Sequence, residues 1–130
     1  MTIYLIGKYS APTRDEEEIN VEIHNEYAKQ ILLTGHVPVS PVRISGLWNY
    51  DERFAGWKHD DWIERFCFPL LDACNAIFLI PGWQSSEGSI MEWQRALKQG
   101  KKVYKGILGL RSATIQAERR KEVNECSTDR

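Results

Sequence analysis

The chain has 130 residues, enough for one domain with its own core. Seventeen Lys and Arg against eighteen Asp and Glu leave a net charge of −1, and the mixing of signs along the chain argues against polymeric nucleic acid as a partner. There is no run of about 18 apolar residues for a membrane span. The three cysteines, Cys67, Cys74 and Cys126, give neither a disulfide framework nor a metal-ligand pair, so a reducing, cytoplasmic setting is expected.

Thr2–Ile6 is apolar and β-prone, and Gly7 ends it. This first strand begins so close to Met1 that no leader peptide is expected ahead of it. The loop 8–14 (KYSAPTR) follows at the strand's carboxyl end. Asp15 to Glu18 is acidic and suits the positive first turn of a helix. Ile19, Ile23, Tyr27 and Leu32 then form a helical stripe expected to face inward up to Thr34, with Gly35 as the stop. His36–Val42 reads as a second strand, which Pro38 and Pro41 assign to an edge or a strand end. Arg43–Asp60 is the least regular stretch and holds Trp48, Tyr50, Phe54 and Trp57. Loops of this length are functional or disordered, and so many aromatics argue against disorder. Two readings stay open: a surface loop pinned by its own rings, or a lid whose Trp48 or Trp57 covers a planar ligand. Asp60–Cys74 reads as a helix with Trp62, Ile63, Phe66, Leu70 and Cys74 inward. Pro69, which has no backbone N–H, is expected to kink it.

The stretch from Asn75 to Tyr104 organises the chain. Ala76–Ile80 is a buried-strand run, and residues 81–88 are a breaker-rich turn. Ile90, Trp93 and Leu97 mark a helix stopped at Gly100, with Lys98, Lys101 and Lys102 at its negative end, and Val103-Tyr104 opens the next strand. Gly106–Leu110 is a strand end or a turn. Residues 1–110 read as one domain and 111–130 as a polar C-terminal helix or tail. The order of elements predicts an α/β fold, a flavodoxin-like three-layer sandwich with a parallel sheet of four to five strands. Ligands in such sheets sit at the carboxyl ends of the strands, where the 82–89 loop lies.

Glu92 stands four residues after Gly88, behind that loop. Ser89-Ile90-Met91-Glu92 fits a capping box, in which Glu92 bonds back to the helix start. The alternative is a carboxylate facing a pocket, able to attack an anomeric carbon and hold a glycosyl intermediate. Tyr4 on the first strand is either a core aromatic or a hydroxyl that orients Glu92. Ser85, Ser86, Gly88 and Lys8 are candidates for a phosphate cradle at a helix N-terminus. By default, Lys8 is a solvated charge.

Ile3-Tyr4-Leu5-Ile6-Gly7, Gly35-His36 with Pro41, and Ser86-Glu87-Gly88-Ser89-Ile90-Met91-Glu92 with Ala96 together resemble the nucleoside 2-deoxyribosyltransferase superfamily. The likeness runs from Thr2 to Tyr104 and is closest to small bacterial and phage members. It implies a flavodoxin-like fold and cleavage or transfer of the N-glycosidic bond of a 2′-deoxynucleoside or its 5′-monophosphate. On this resemblance Glu92 is the nucleophile and Tyr4 its supporting tyrosine. Ser86 matches the phosphate-binding serine of the deoxynucleoside 5′-monophosphate N-hydrolases. Gly7, Lys8, Gly82, Trp83, Ser85, Ser86, Gly88 and Ser89 would hold sugar or phosphate. No metal or cofactor is implied, and a homo-oligomer is. The family's acidic proton donor falls on Cys67, with Asp61 and Glu64 as nearby substitutes. The aspartate that opens its third strand is Asn75 here. The rival reading is a non-catalytic nucleotide-binding module on the same fold.

Overall fold

Strands covered on both faces need uninterrupted apolar runs, and residues 2–6 and 76–80 supply the two best in the chain. In the computed structural model, which describes residues 1–111 and 119–120, these runs form the centre of the sheet. Among the described residues the sheet has four strands: β1 (Thr2–Ile6), β2 (Val37–Val39), β3 (Ala76–Leu79) and β4 (Lys102–Tyr104). They lie in the order β2-β1-β3-β4, all parallel. Tyr4 pairs with Val39 on one side and Ile77 on the other. The helices include α1 (Arg14–Leu33), α2 (Pro41–Ser45), α3 (His59–Trp62), α4 (Phe68–Asp72) and α5 (Glu87–Lys98). The fold is the expected flavodoxin-like sandwich of three layers.

Strand alternation decides which residues meet which helices. Ile3, Leu5, Ala76, Phe78 and Ile80 point toward α1, where Ala28 and Ile31 meet them. Tyr4, Ile6, Ile77 and Leu79 point the other way, against Leu71 of α4 and Ala96 of α5. Tyr4 is therefore committed to the layer that carries Glu92.

Several sequence expectations change. The inward face of α1 is Glu17, His24, Ala28 and Ile31, whereas Ile19, Ile23 and Leu32 are exposed. The sheet covers only a narrow stripe of this long helix, and polar side chains with tertiary partners occupy part of it. The second strand stops at Val39. Ser40 then caps α2 through a bond from Arg43 N at 3.2 Å, and Pro41 takes the first helical position, where its missing N–H costs nothing. The irregular 43–60 stretch contains the end of this helix and two 3-10 turns, Trp48–Tyr50 and Glu52–Phe54. The 60–74 helix is broken into α3, a π-helical segment (Ile63–Cys67) and α4. The π segment meets Pro69 just after its end; a wider turn accommodates a residue that can neither donate nor tolerate the carbonyl four residues back. Residues 107–111 are helical and Leu110 is fully buried against the α1 side of the sheet, so this is neither strand end nor plain turn. Most of the predicted C-terminal tail, and Cys126 with it, lies outside the described residues. Among the described residues no helix is long and apolar enough to cross a membrane.

Candidate active site

A cavity of about 270 Å³ opens at the carboxyl ends of β1 and β3. Its floor is made where Gly7 follows β1 and where α5 begins. Gly7 permits the close approach, because a Cβ there would lie 2.8 Å from His24 Nε2 and 3.0 Å from Ile80 Cβ. Gly88 does the same at the start of α5, where a Cβ would lie 3.0 Å from Ile63 Cδ1 and 3.1 Å from His59 Nε2. His24 is itself buried, bonded to Ser40 Oγ at 3.0 Å, and burial pushes its pKa down to about 4. It serves as a neutral prop beneath the floor.

Glu92 lines this cavity and is only 6% exposed. Its Oε2 accepts a hydrogen bond from Tyr4 Oη, which is fully buried behind it. Burial raises the Glu92 carboxyl from 4.5 to about 8, against the opposing effect of the Tyr4 hydroxyl. Burial, and then the neighbouring Glu92, push the Tyr4 phenol well above its usual value. Cys67, from the π segment, adjoins the same pair. Burial and then Glu92 raise its thiol to about 12, so it is a neutral, unreactive wall.

The helix cap is not the one expected. Ser86 caps α5, its Oγ accepting from Ser89 N at 3.2 Å. Glu92 is thus six residues past the cap and is free to face the cavity. Ser89 Oγ is buried in the cavity wall with no hydrogen-bond partner among the described residues. Such a hydroxyl costs stability unless something polar enters to meet it.

Of the expected site residues, Gly7, Ser86, Gly88, Ser89 and Glu92 line the cavity, with Tyr4 directly behind. Lys8, Gly82, Trp83 and Ser85 are not in its wall. Lys8 is exposed. Gly82 adopts a left-handed φ of 88°, which swings a 3-10 turn (Trp83–Ser85) outward. Ser85 Oγ folds back onto Gly82 O at 2.8 Å, and Trp83 packs on Trp93 with ring centroids 5.2 Å apart. Asp61 and Glu64 also miss the cavity; the Asp61 side chain instead accepts from Lys58 N at 2.8 Å. Trp57 reaches the wall, while Trp48 stacks on Phe54 outside it.

A family model described as "Domain of unknown function (DUF1937)" matches residues 1–106. The chain belongs to this family. No curated protein matches it. The DUF1937 region spans every residue of the cavity wall, from Leu5 to Glu92. Several of those residues are not among the expected site residues: Tyr9, Glu17, Asn49, His59 and Trp62 all reach the cavity. Glu17 is buried and accepts from Tyr50 Oη. Tyr9 Oη donates to Asn49 Oδ1 at 2.6 Å and accepts from Leu47 N at 3.0 Å. These bonds tie residues 47–50 to α1 and to the loop after β1. The only sequence signal was the aromatic density of that stretch. Among the described residues no three His, Cys, Asp or Glu side chains are grouped to hold a metal.

Proposed function

We propose that this protein cleaves or transfers the N-glycosidic bond of a 2′-deoxynucleoside or its 5′-monophosphate, with Glu92 as the nucleophile. The observation that carries the reading is a buried carboxyl, hydrogen-bonded by a buried tyrosine, in the wall of a cavity at a helix N-terminus. As an ionised group, Glu92 attacks C1′ and stabilises the cationic sugar as the base departs, and Tyr4 fixes its orientation. A raised proton affinity is what an attacking carboxylate gains when it is removed from water. Trp57 and Trp62 give one wall the flat apolar character that suits a base. Ser86, Gly88 and the start of α5 suit a 5′-phosphate. The likeness of Ser86–Glu92 to the superfamily's loop supports this substrate class.

The experiment is incubation with each deoxynucleoside and deoxynucleoside monophosphate, followed by chromatography for free or exchanged base. Glu92→Gln is expected to lose release by orders of magnitude. One observation favours the non-catalytic rival: a carboxyl titrating near 8 is mostly neutral at pH 7 and donates a hydrogen bond instead of attacking. Tight calorimetric binding of a monophosphate without base release, in wild type and Glu92→Gln alike, would establish that rival. Self-association is part of the proposal, supported by Ile19, Ile23 and Leu33 exposed on α1, and sedimentation tests it.

A further inference from the structure

A base leaving a sugar as an anion is a poor leaving group, so an N-glycosidic reaction needs a proton donor as well as a nucleophile. Among the cavity-lining residues only Glu17 and Glu92 carry carboxyl groups. We propose that Glu17 is the second catalytic group, the acid that protonates the leaving base and the base that then activates the incoming water. The inference rests on the N-glycosidic reading above.

Three observations carry it. Glu17 is 6% exposed, so its carboxyl is held within the structure and is not a solvated surface charge. Tyr50 Oη donates to its Oε1, and among the described residues no hydrogen bond reaches Oε2 of this cavity-lining side chain. The two carboxyls also arrive from opposite layers: Glu92 from α5 on one face of the sheet, and Glu17 from α1 on the other. Reactions at an anomeric carbon use one carboxyl on each side of the scissile bond. Of the other titratable cavity groups, Tyr9 Oη is engaged with Asn49 and Leu47, and His59 is half-exposed to solvent, with Nδ1 3.6 Å from Asp60 Oδ1. The Cys67 thiol, at the position where the resemblance expects an acid, is too weak an acid to serve.

In the first step a Glu92 oxygen forms a bond to C1′ while the C1′–N bond breaks. The bonding electron pair stays on the base nitrogen system, which takes the proton from Glu17 Oε2. In the second step water attacks C1′, Glu17 accepts the water proton, and Glu92 departs as the carboxylate. The products are free base and 2-deoxyribose or its 5-phosphate, with both side chains restored.

The test uses the full chain and two substrates: deoxyguanosine 5′-monophosphate and its N7-methylated form, whose base already carries the positive charge that protonation supplies. Glu17→Gln keeps an acceptor for Tyr50. In single-turnover release, which reads the first step alone, it is expected to slow the unmodified nucleotide by about 10²–10⁴-fold, and release of N7-methylguanine by less than about tenfold. Single-turnover release from the methylated substrate also certifies that the variant is folded. Glu17→Ala with added formate, a small diffusible acid, is expected to regain release from the unmodified nucleotide only. Equal losses on both substrates, or no loss on either, would overturn the assignment of Glu17. If instead Glu92→Gln releases N7-methylguanine as fast as wild type, the nucleophile reading fails first and takes this one with it.

Discussion

Replacing Glu92 by Gln should change how the protein's stability depends on pH, in a direction opposite to that of most carboxylates. Glu92 is nearly inaccessible, and burial raises its carboxyl from 4.5 to about 8. Between those two values the folded protein holds a proton that the unfolded chain has released. Unfolding is therefore favoured progressively as pH rises through that window. Below 4.5 the group costs the fold nothing on this account; above 8 both states are ionised and the loss is complete. Each tenfold change in proton affinity is worth about 1.4 kcal/mol, so the loss reaches roughly 5 kcal/mol as an upper figure. That is comparable with the net stability of a small domain, about 5–15 kcal/mol. Glutamine preserves the shape and can still accept from Tyr4 Oη, but it does not titrate. Urea unfolding of both proteins from pH 4 to 9 should give curves that coincide at the acid end and diverge by up to about 1.4 kcal/mol per pH unit, the variant being more stable above pH 8. A constant difference across the range would mean that Glu92 is solvated, and the buried-pair argument would fail. The same titration should appear in catalysis: kcat/KM for base release rises toward pH 8 if ionised Glu92 attacks, and falls there if it acts as the acid.

Tyr4→Phe removes the hydrogen bond that Glu92 accepts from Tyr4 and leaves a buried oxygen unmet, a cost of about 1–3 kcal/mol in denaturant unfolding. Base release should fall with it, and an unchanged pair of measurements would remove Tyr4 from the site. Ser86→Ala should lose about 0.5–2 kcal/mol through the lost cap of α5, and any preference for monophosphates should shrink. Ser86→Asp separates the two effects: it restores a cap acceptor, and thus the melting temperature, while its charge repels phosphate. If it keeps the monophosphate preference, Ser86 does not touch the ligand. Trp57→Ala should weaken ligand binding measured by calorimetry by about 1–3 kcal/mol, whereas Trp48→Ala, outside the cavity wall, should leave it unchanged. The reverse order would mean that the lid rearranges around the ligand.

The central strands were legible because burial on both faces leaves an unbroken apolar run, as in residues 76–80. The inner face of α1 was not, because hydrophobic periodicity counts apolar side chains and assumes that they point inward. Here His24 is inside, held by Ser40, and Glu17 is inside, held by Tyr50, while Ile19 and Ile23 face out. Both partners belong to segments distant in sequence, so no window over α1 alone contains the information. The π segment leaves one trace, Pro69, which signalled a disturbance without specifying its form. Leu110 falls in a stretch that reads as a strand end or a turn, although it is helical and completes the core beneath α1.

The site shows the same division between local and tertiary information. Two serines, Ser86 and Ser89, stand before Glu92, and either could begin the helix on propensity alone. Capping by Ser89 would have placed Glu92 in the first turn, turned back on the backbone and unable to reach a ligand. Capping by Ser86 adds almost a full turn before Ser89, after which Glu92 projects toward the sheet. Strand alternation sends Tyr4 from β1 to meet it. A shift of one residue in β1 would turn Tyr4 to the α1 side and leave the Glu92 carboxyl buried without a donor. The pairing of Ile6 with Leu79 and of Tyr4 with Ile77 excludes that register, because it keeps Ile3 and Leu5 in the opposite core. The apolar pattern of β1 that stabilises the fold is thus also what delivers the Tyr4 contact that orients the proposed nucleophile.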